Sequence, residues 1–289
     1  MPDAAKLLDG KKVAEEIKRE LKQRVAKLKK PPKLAVILVG EDPASKTYVA
    51  GKERDCREVG IEFELFHFRE EAKEEEIVRT IQKLNSDSSV HGVIIQLPLP
   101  SSLNADRLLP CIDPAKDVDG LHPLNVGKLW LGQYDFERDL LPCTPKGIIR
   151  LLDYYSISLA GKYSVIVNRS NLVGKPLAKL MLDRDATVTV CHSKTPSLTR
   201  RMKEADVLVT AVGRRPKFVV GPDAVKEGAV VVDVGMNFVE GRLMGDVDFE
   251  KVKDKVSYIT PVPGGVGPMT RAMLLQNVVL VAERAEGRA

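Results

Sequence analysis

The sequence predicts an α/β protein of two three-layer domains flanking a cleft. Three observations lead there. The chain has 289 residues, about two ordinary domains' worth. In both halves, β-branched apolar runs alternate with stretches of helical periodicity, the pattern of βαβ units and parallel sheets. A loop-rich segment over 110–144 interrupts that alternation and puts a domain boundary near Cys143.

The elements follow in order. Asp9-Gly10 open a helix whose apolar residues, Val13, Ile17, Leu21, Val25 and Leu28, recur close to every 3.6 positions; Pro31-Pro32 stop it. LAVILVG (34–40) is continuously apolar and suits a strand buried on both faces. A helix from Pro43 to Val59 ends at Gly60, IEFELFHF (61–68) is a second strand, 74–84 a helix, and HGVIIQL (91–97) a third strand. PLPSSL then forms a loop at the end of that strand, where open α/β sheets bind ligands. A helix over 147–159 leads into the second domain, which restarts with YSVIVN (163–168), a polar turn and helix LAKLML. TVTVC (187–191), ADVLVTAV (205–212) and AVVVDVG (229–235) are further strands. A short helix fits 249–256, SYITPVPGGVGPMT is a loop, and RAMLLQNVVLVAERA is a closing helix.

Bulk composition excludes several classes. Hydrophobic content of 44% and charge of 29% describe a globular protein with enough apolar material for real cores. The net charge of +5 is spread along the chain, and its densest run, KQRVAKLKK, has helical apolar spacing. It reads as a solvated helix face rather than a nucleic-acid patch, and a mild positive field suits anionic small molecules. The four cysteines form no CxxC pair and no zinc spacing, which suits buried, reduced thiols and no metal. The N-terminus lacks a signal peptide's apolar core and no run is long enough to span a bilayer, so the cytoplasm is expected.

Two regions carry candidate chemistry. The turn Asn168-Arg169-Ser170-Asn171-Leu172-Val173-Gly174-Lys175-Pro176 joins a strand to a helix, the arrangement that sets a helix N-terminus against phosphate. It is not GxGxxG, and a ligand-free turn remains open. Cys191-His192-Ser193-Lys194-Thr195, where an NAD enzyme would carry an acid for the ribose, has none. With Arg169 nearby, that favours NADP. Elsewhere Ser45, Tyr48 and Lys52 fall on one helix, with Tyr48 and Lys52 at i, i+4. Tyr48 can stack on an aromatic ligand, and Lys52 can move protons if burial lowers its pKa. A surface lysine beside a packed tyrosine has the same spacing. Gln96 ends the third strand, and KDVDG holds Asp117 and Asp119 without the other ligands of a calcium loop. The Pro261–Thr270 loop combines three prolines with three glycines, rigid yet open to close ligand approach.

Together SKTYVAGK, GVIIQLPLP, KDVDGLHPLNVGKL, PCTPKG, VNRSNLVGKPLA, TVTVCHSKT, VVDVGMN, GDVDF and TPVPGGVGPMT resemble the bifunctional methylenetetrahydrofolate dehydrogenase/cyclohydrolase family across most of the chain. The resemblance implies oxidation of methylenetetrahydrofolate with NADP, then hydrolysis of the methenyl product. It implies a catalytic folate domain over 1–143 plus 271–289, a Rossmann-like NADP domain over 144–270, and a homodimer formed through the latter. Lys52 is then the general acid/base, Gln96 tunes it, Tyr48 stacks on the aminobenzoate and Asp119 binds the pterin edge, with Ser45, Pro261 and Gly265 also on the folate. Arg169 and Ser193 would hold the 2′-phosphate. Ser170, Gly174, the main chain of Thr210–Gly213, Met236 and Thr270 would line the cofactor. The family turn normally begins with Gly where this chain has Asn168. Still open are a dehydrogenase for another small molecule, a nucleotide-binding regulator without turnover, and an enzyme with only one of the two activities.

Overall fold

The computed structural model describes residues 5–288. The chain opens with β1 (Lys6–Leu7) and α1 (Gly10–Val25). Strands and helices then alternate through β2 (Lys33–Val39), α2 (Pro43–Val59), β3 (Glu62–Phe68), α3 (Glu74–Ser86) and β4 (Gly92–Ile95). A short α4 (Ala105–Leu108) follows, and the segment expected to be loop-rich holds α5 (Pro123–Leu131). Next come α6 (Cys143–Tyr154), β5 (Tyr163–Val167), α7 (Gly174–Leu182), β6 (Thr187–Cys191), α8 (Leu198–Glu204), β7 (Val207–Thr210) and β8 (Val230–Asp233). An antiparallel hairpin of β9 (Asn237–Val239) and β10 (Arg242–Met244) precedes α9 (Phe249–Val252), β11 (Tyr258–Ile259) and α10 (Val266–Ala285).

Two compact units result. One comprises Glu16–Cys143 and the residues from Arg271 on; the other comprises Thr144–Thr270 and the residues up to Glu15. The expectation had kept everything before residue 143 in the first domain. The difference is physical: β1 pairs in parallel with β11, Lys6 against Tyr258 and Leu7 against Ile259, so the first residues extend the second unit's sheet.

In the Lys52-bearing unit, a three-stranded parallel sheet has the order β3-β2-β4. β2 is central and six of its seven residues are buried, as a continuously apolar run requires. α3 buries Ile77, Ile81 and Leu84, a stripe at i, i+4, i+7 against Ala35, Ile37 and Val93. Each fully buried aliphatic side chain contributes about 1.5–3 kcal/mol relative to exposure. α2 starts where Asp42 accepts the Ser45 N–H at 2.7 Å with Pro43 in the first turn, and it stops at Gly60 with φ 91°. In the other unit six parallel strands take the order β1-β11-β8-β7-β5-β6. Within each sheet the strands run parallel, so their C-termini share an edge; Gln96 follows β4 in one unit, and Arg169 and Ser193 follow β5 and β6 in the other.

Candidate active site

In the first unit, α2 carries Ser45, Tyr48 and Lys52 on one face. Lys52 Nζ donates to Gln96 Oε1 at 2.7 Å. Gln96 follows directly on β4, its N–H donating to Ile37 O at 2.8 Å. Its amide is oriented from the other side, because Nε2 donates to the Leu97 carbonyl at 2.7 Å. Burial pushes the Lys52 amine below its usual value; the Arg271 charge adds to this, while Asp119 and the thiols of Cys143 and Cys56 oppose it. Asp119, half-buried, is thus within electrostatic reach of Lys52.

The Asp119 loop is built by its neighbours. Val93 donates to Lys116 O at 2.9 Å and bridges to Asp117, which lays the loop along β4. The buried Asp117 carboxylate accepts the N–H groups of Leu121 and His122 and the Asn125 side-chain amide, so it caps the turn into α5. Asn277 of α10 donates to the carbonyls of Val118 and Leu141 at 2.8 and 3.3 Å, fixing the loop from behind. Ser45 is 2% exposed, and its hydroxyl has no partner among the described residues. A buried unpaired hydroxyl is costly unless a ligand satisfies it. Tyr48 is half-buried; burial raises its phenol pKa and Arg271 tempers the rise. Arg271 itself is held by an ion pair with Asp55, which also faces Lys18.

The cysteines are all free. Burial, with Asp55 beside it, pushes the Cys56 thiol up to about 12, so it is no nucleophile. Cys111 departs from the expectation of buried thiols: it is only half-buried, on a surface turn.

In the second unit, β5 and β6 pair with Val167 opposite Cys191. The turns that follow them therefore lie side by side, Arg169 in one and Ser193 in the other. Both residues are exposed, and neither side chain has a partner among the described residues. Ser170 is occupied locally, its hydroxyl accepting the Val173 N–H. Gly174 packs so close to the end of β5 that a Cβ would sit 2.0 Å from the Asn168 carbonyl oxygen. Its smallness serves the helix–strand contact. Thr210 is fully buried, its hydroxyl on Asp233 at 3.4 Å. Gly213 takes φ 64° and Met236 is 46% exposed. Thr270 lies inside α10, which starts earlier than expected, and its hydroxyl meets that of Thr144 at 2.9 Å. Pro261 and Gly265 share this unit; a Cβ on Gly265 would reach the Pro261 carbonyl at 2.6 Å, and the Gly264 carbonyl accepts the Lys11 N–H.

Sequence reasoning missed a pair of buried acids here. Asp246 accepts the N–H groups of Val212 and Gly213 at 2.7 and 2.9 Å, bracing the turn after β7. Asp233 accepts those of Gly235, Asp246 and Val247. Only the motifs VVDVGMN and GDVDF hinted at them, and nothing in either says that the two meet.

Comparison with known proteins agrees over the whole length. The profile for the tetrahydrofolate dehydrogenase/cyclohydrolase catalytic domain matches residues 8–119, and that for its NAD(P)-binding domain matches 142–286. A protein described as bifunctional protein FolD from Exiguobacterium sibiricum is 50% identical over 96% of this chain and 100% of its own. The crystal structure of the FolD methylenetetrahydrofolate dehydrogenase/cyclohydrolase from Campylobacter jejuni superposes with a TM-score of 0.92 at 49% identity, covering 97% of this chain and 99% of that one. That of Trypanosoma brucei, complexed with NADP and an inhibitor, gives 0.92 at 35% identity, covering 100% of both. With both domain profiles matched and half the residues shared with such relatives, this chain belongs to the tetrahydrofolate dehydrogenase/cyclohydrolase family.

Proposed function

We propose that the enzyme's two reactions in one-carbon metabolism are run by the residues just described. The enzyme oxidises 5,10-methylenetetrahydrofolate to the methenyl form with NADP, then hydrolyses that form to 10-formyltetrahydrofolate. The observation that carries the assignment of roles is the enclosed Lys52 amine, bonded to Gln96 and facing Asp119. An amine with a depressed pKa gives up its proton more readily than an ordinary lysine, as a group that both donates and accepts one requires.

The second unit suits NADP in its donor set: Arg169, Ser193 and Lys194 are exposed at neighbouring strand ends, and no acid stands between Cys191 and Thr195 to repel a 2′-phosphate. NADP, when bound, takes up the hydride that the bridging carbon gives up. Arg169 and Ser193 hold the phosphate end, while the braced turn at Val212 and Gly213, Met236, Ser170, Gly174 and Thr270 shape the surface along it.

On the folate side, Tyr48 stacks against the aminobenzoate and Asp119 accepts paired hydrogen bonds from the aminopyrimidine. Ser45 Oγ, Pro261 and Gly265 complete the contacts. The methenyl carbon is cationic, so water adds to it without a Lewis acid. As water's oxygen bonds to carbon, Lys52 accepts a proton. It returns one to N5 as the carbon–N5 bond breaks, and the adduct's hydroxyl gives its proton to solvent, leaving the formyl group on N10. Gln96 Oε1 holds Nζ in place through both transfers. We further assign the enzyme to the cytoplasm, as a homodimer formed through the second unit. Among the described residues no helix is long and apolar enough to cross a membrane.

Mixing the enzyme with methylenetetrahydrofolate and NADP or NAD, and following reduced nicotinamide and methenyl absorbance, tests this. Lys52→Met is expected to abolish ring opening. Retained cyclohydrolase activity in that variant rules out the assigned role.

A further inference from the structure

The polar turn after β5 stands where a parallel α/β sheet usually offers main-chain N–H groups to a phosphate. In this chain the N–H groups at the start of α7 are already spent. Asn168 Oδ1 accepts the Ser170 N–H at 2.7 Å and the Gly174 N–H at 3.0 Å. Ser170 Oγ accepts the Val173 N–H at 3.1 Å, and the Ser170 carbonyl accepts the Lys175 N–H at 3.1 Å. Pro176, next in line, has no N–H. The leading positions of α7 thus leave no free donor. The Asn168 side chain is locked in this role from its other end, Nδ2 donating to the Ala211 carbonyl at 2.6 Å. The neighbouring turn after β7 is closed in the same way, since Asp246 holds the N–H groups of Val212 and Gly213.

What stays open beside the start of α7 is a set of basic and hydroxyl side chains. Arg169, Ser193 and Lys194 are exposed, and their side chains have no bonds to other described residues. An anion arriving at α7 must displace Asn168 from two hydrogen bonds. An anion arriving at Arg169 displaces only water.

We propose that Asn168 is a specificity-determining residue: its side chain closes the main-chain phosphate site at the start of α7, so that nucleotide recognition falls on the 2′-phosphate and NAD is refused for lack of one. This rests on the reading that Arg169 and Ser193 take that phosphate. The pyrophosphate common to both nucleotides gains little at the turn, and discrimination is sharpened because the shared part of the ligand is bound weakly.

The test is binding rather than turnover. Dissociation constants for NADP, NAD and 2′,5′-ADP are measured by calorimetry on the unaltered protein, Asn168→Gly and Asn168→Asp. Freeing two N–H groups in Asn168→Gly should tighten both NAD and NADP about five- to tenfold and leave 2′,5′-ADP, which has no pyrophosphate, unchanged. Asn168→Asp keeps the acceptor and should keep NAD weak. Unchanged or weaker NAD binding by folded Asn168→Gly overturns the proposal, as does tighter NAD binding by Asn168→Asp. Amide hydrogen exchange on the unaltered protein decides the matter without a variant. Ser170 and Gly174 should be protected before nucleotide is added and change little at saturating NADP. Fast exchange that NADP alone suppresses overturns the proposal. Arg169→Ala with 2′,5′-ADP tests the phosphate reading separately, so the two can fail independently.

Discussion

Replacing Gln96 with methionine removes one acceptor from a largely enclosed amine while keeping the volume. Gln96 is 8% exposed, and its Oε1 receives Lys52 Nζ at 2.7 Å. A hydrogen bond to a charged group nets about 1.5–3 kcal/mol, and it favours the ammonium over the free amine. Its loss should therefore lower the Lys52 pKa further, by an amount set by that energy. The direction adds to the depression that burial already causes. Lys52 acts as a base only when deprotonated, so the acid limb of the cyclohydrolase pH–rate profile should move down by the same amount. The plateau rate should also fall, because a weaker base accepts the proton less readily and is no longer held in place. The assay follows the decay of methenyl absorbance across a buffer series, with thermal melts to confirm folding. A profile whose acid limb stays put while the plateau falls would refute the tuning argument, leaving Gln96 a purely steric role.

Two further outcomes are expected. Gly174→Ala would set a Cβ 2.0 Å from the Asn168 carbonyl oxygen, a clash with backbone that no rotamer relieves. A loss of about 1–3 kcal/mol or more in urea unfolding should follow, and full stability would contradict the packing described. Asp233 is pushed up to about 6 by burial, reinforced by Asp246, against the main-chain N–H groups that favour its charge. A carboxyl whose folded pKa is raised stabilises the fold in its protonated form. That contribution is complete below about pH 4 and is lost as pH climbs through about 6. Carboxyl carbon chemical shifts should give Asp233 a midpoint near 6; one at or below 4 would overturn the assignment.

Much of the fold could be read directly. β2 is central because six apolar residues in a row, Leu34 to Val39, have no polar side to offer solvent. Helix α5 was overlooked although its signals were present: Pro123 in the first turn, His122 capping Leu124 N–H, and Gly132 closing it with φ 69°. The β9–β10 hairpin gave less warning. It turns through Glu240 at φ 50° and Gly241 at φ 76°, and glutamate is not a residue that announces a left-handed turn. Strands of two residues, such as β1 and β11, are too short to show any period. In the site, Tyr48 and Lys52 were legible because helical spacing puts them on one face. The Lys52–Gln96 bond and the grip of Asp246 on Val212 and Gly213 were not, since each joins segments far apart in sequence. Asn168 was visible as an oddity, but the bond that locks its side chain depends on where Ala211 lies, which no local pattern specifies.

The pairing of β1 with β11 bears on how the polypeptide matures on the ribosome. Lys6 and Leu7 are translated long before their partners, Tyr258 and Ile259. Until then the flank of β8 lies bare, a template for unwanted strand addition. The Lys52-bearing half waits too: Asn277 supplies the last bonds to the loop behind Asp119. Neither half can complete its contacts before residues 259 and 277 have been made, so a nascent chain stalled short of them would be prone to aggregate.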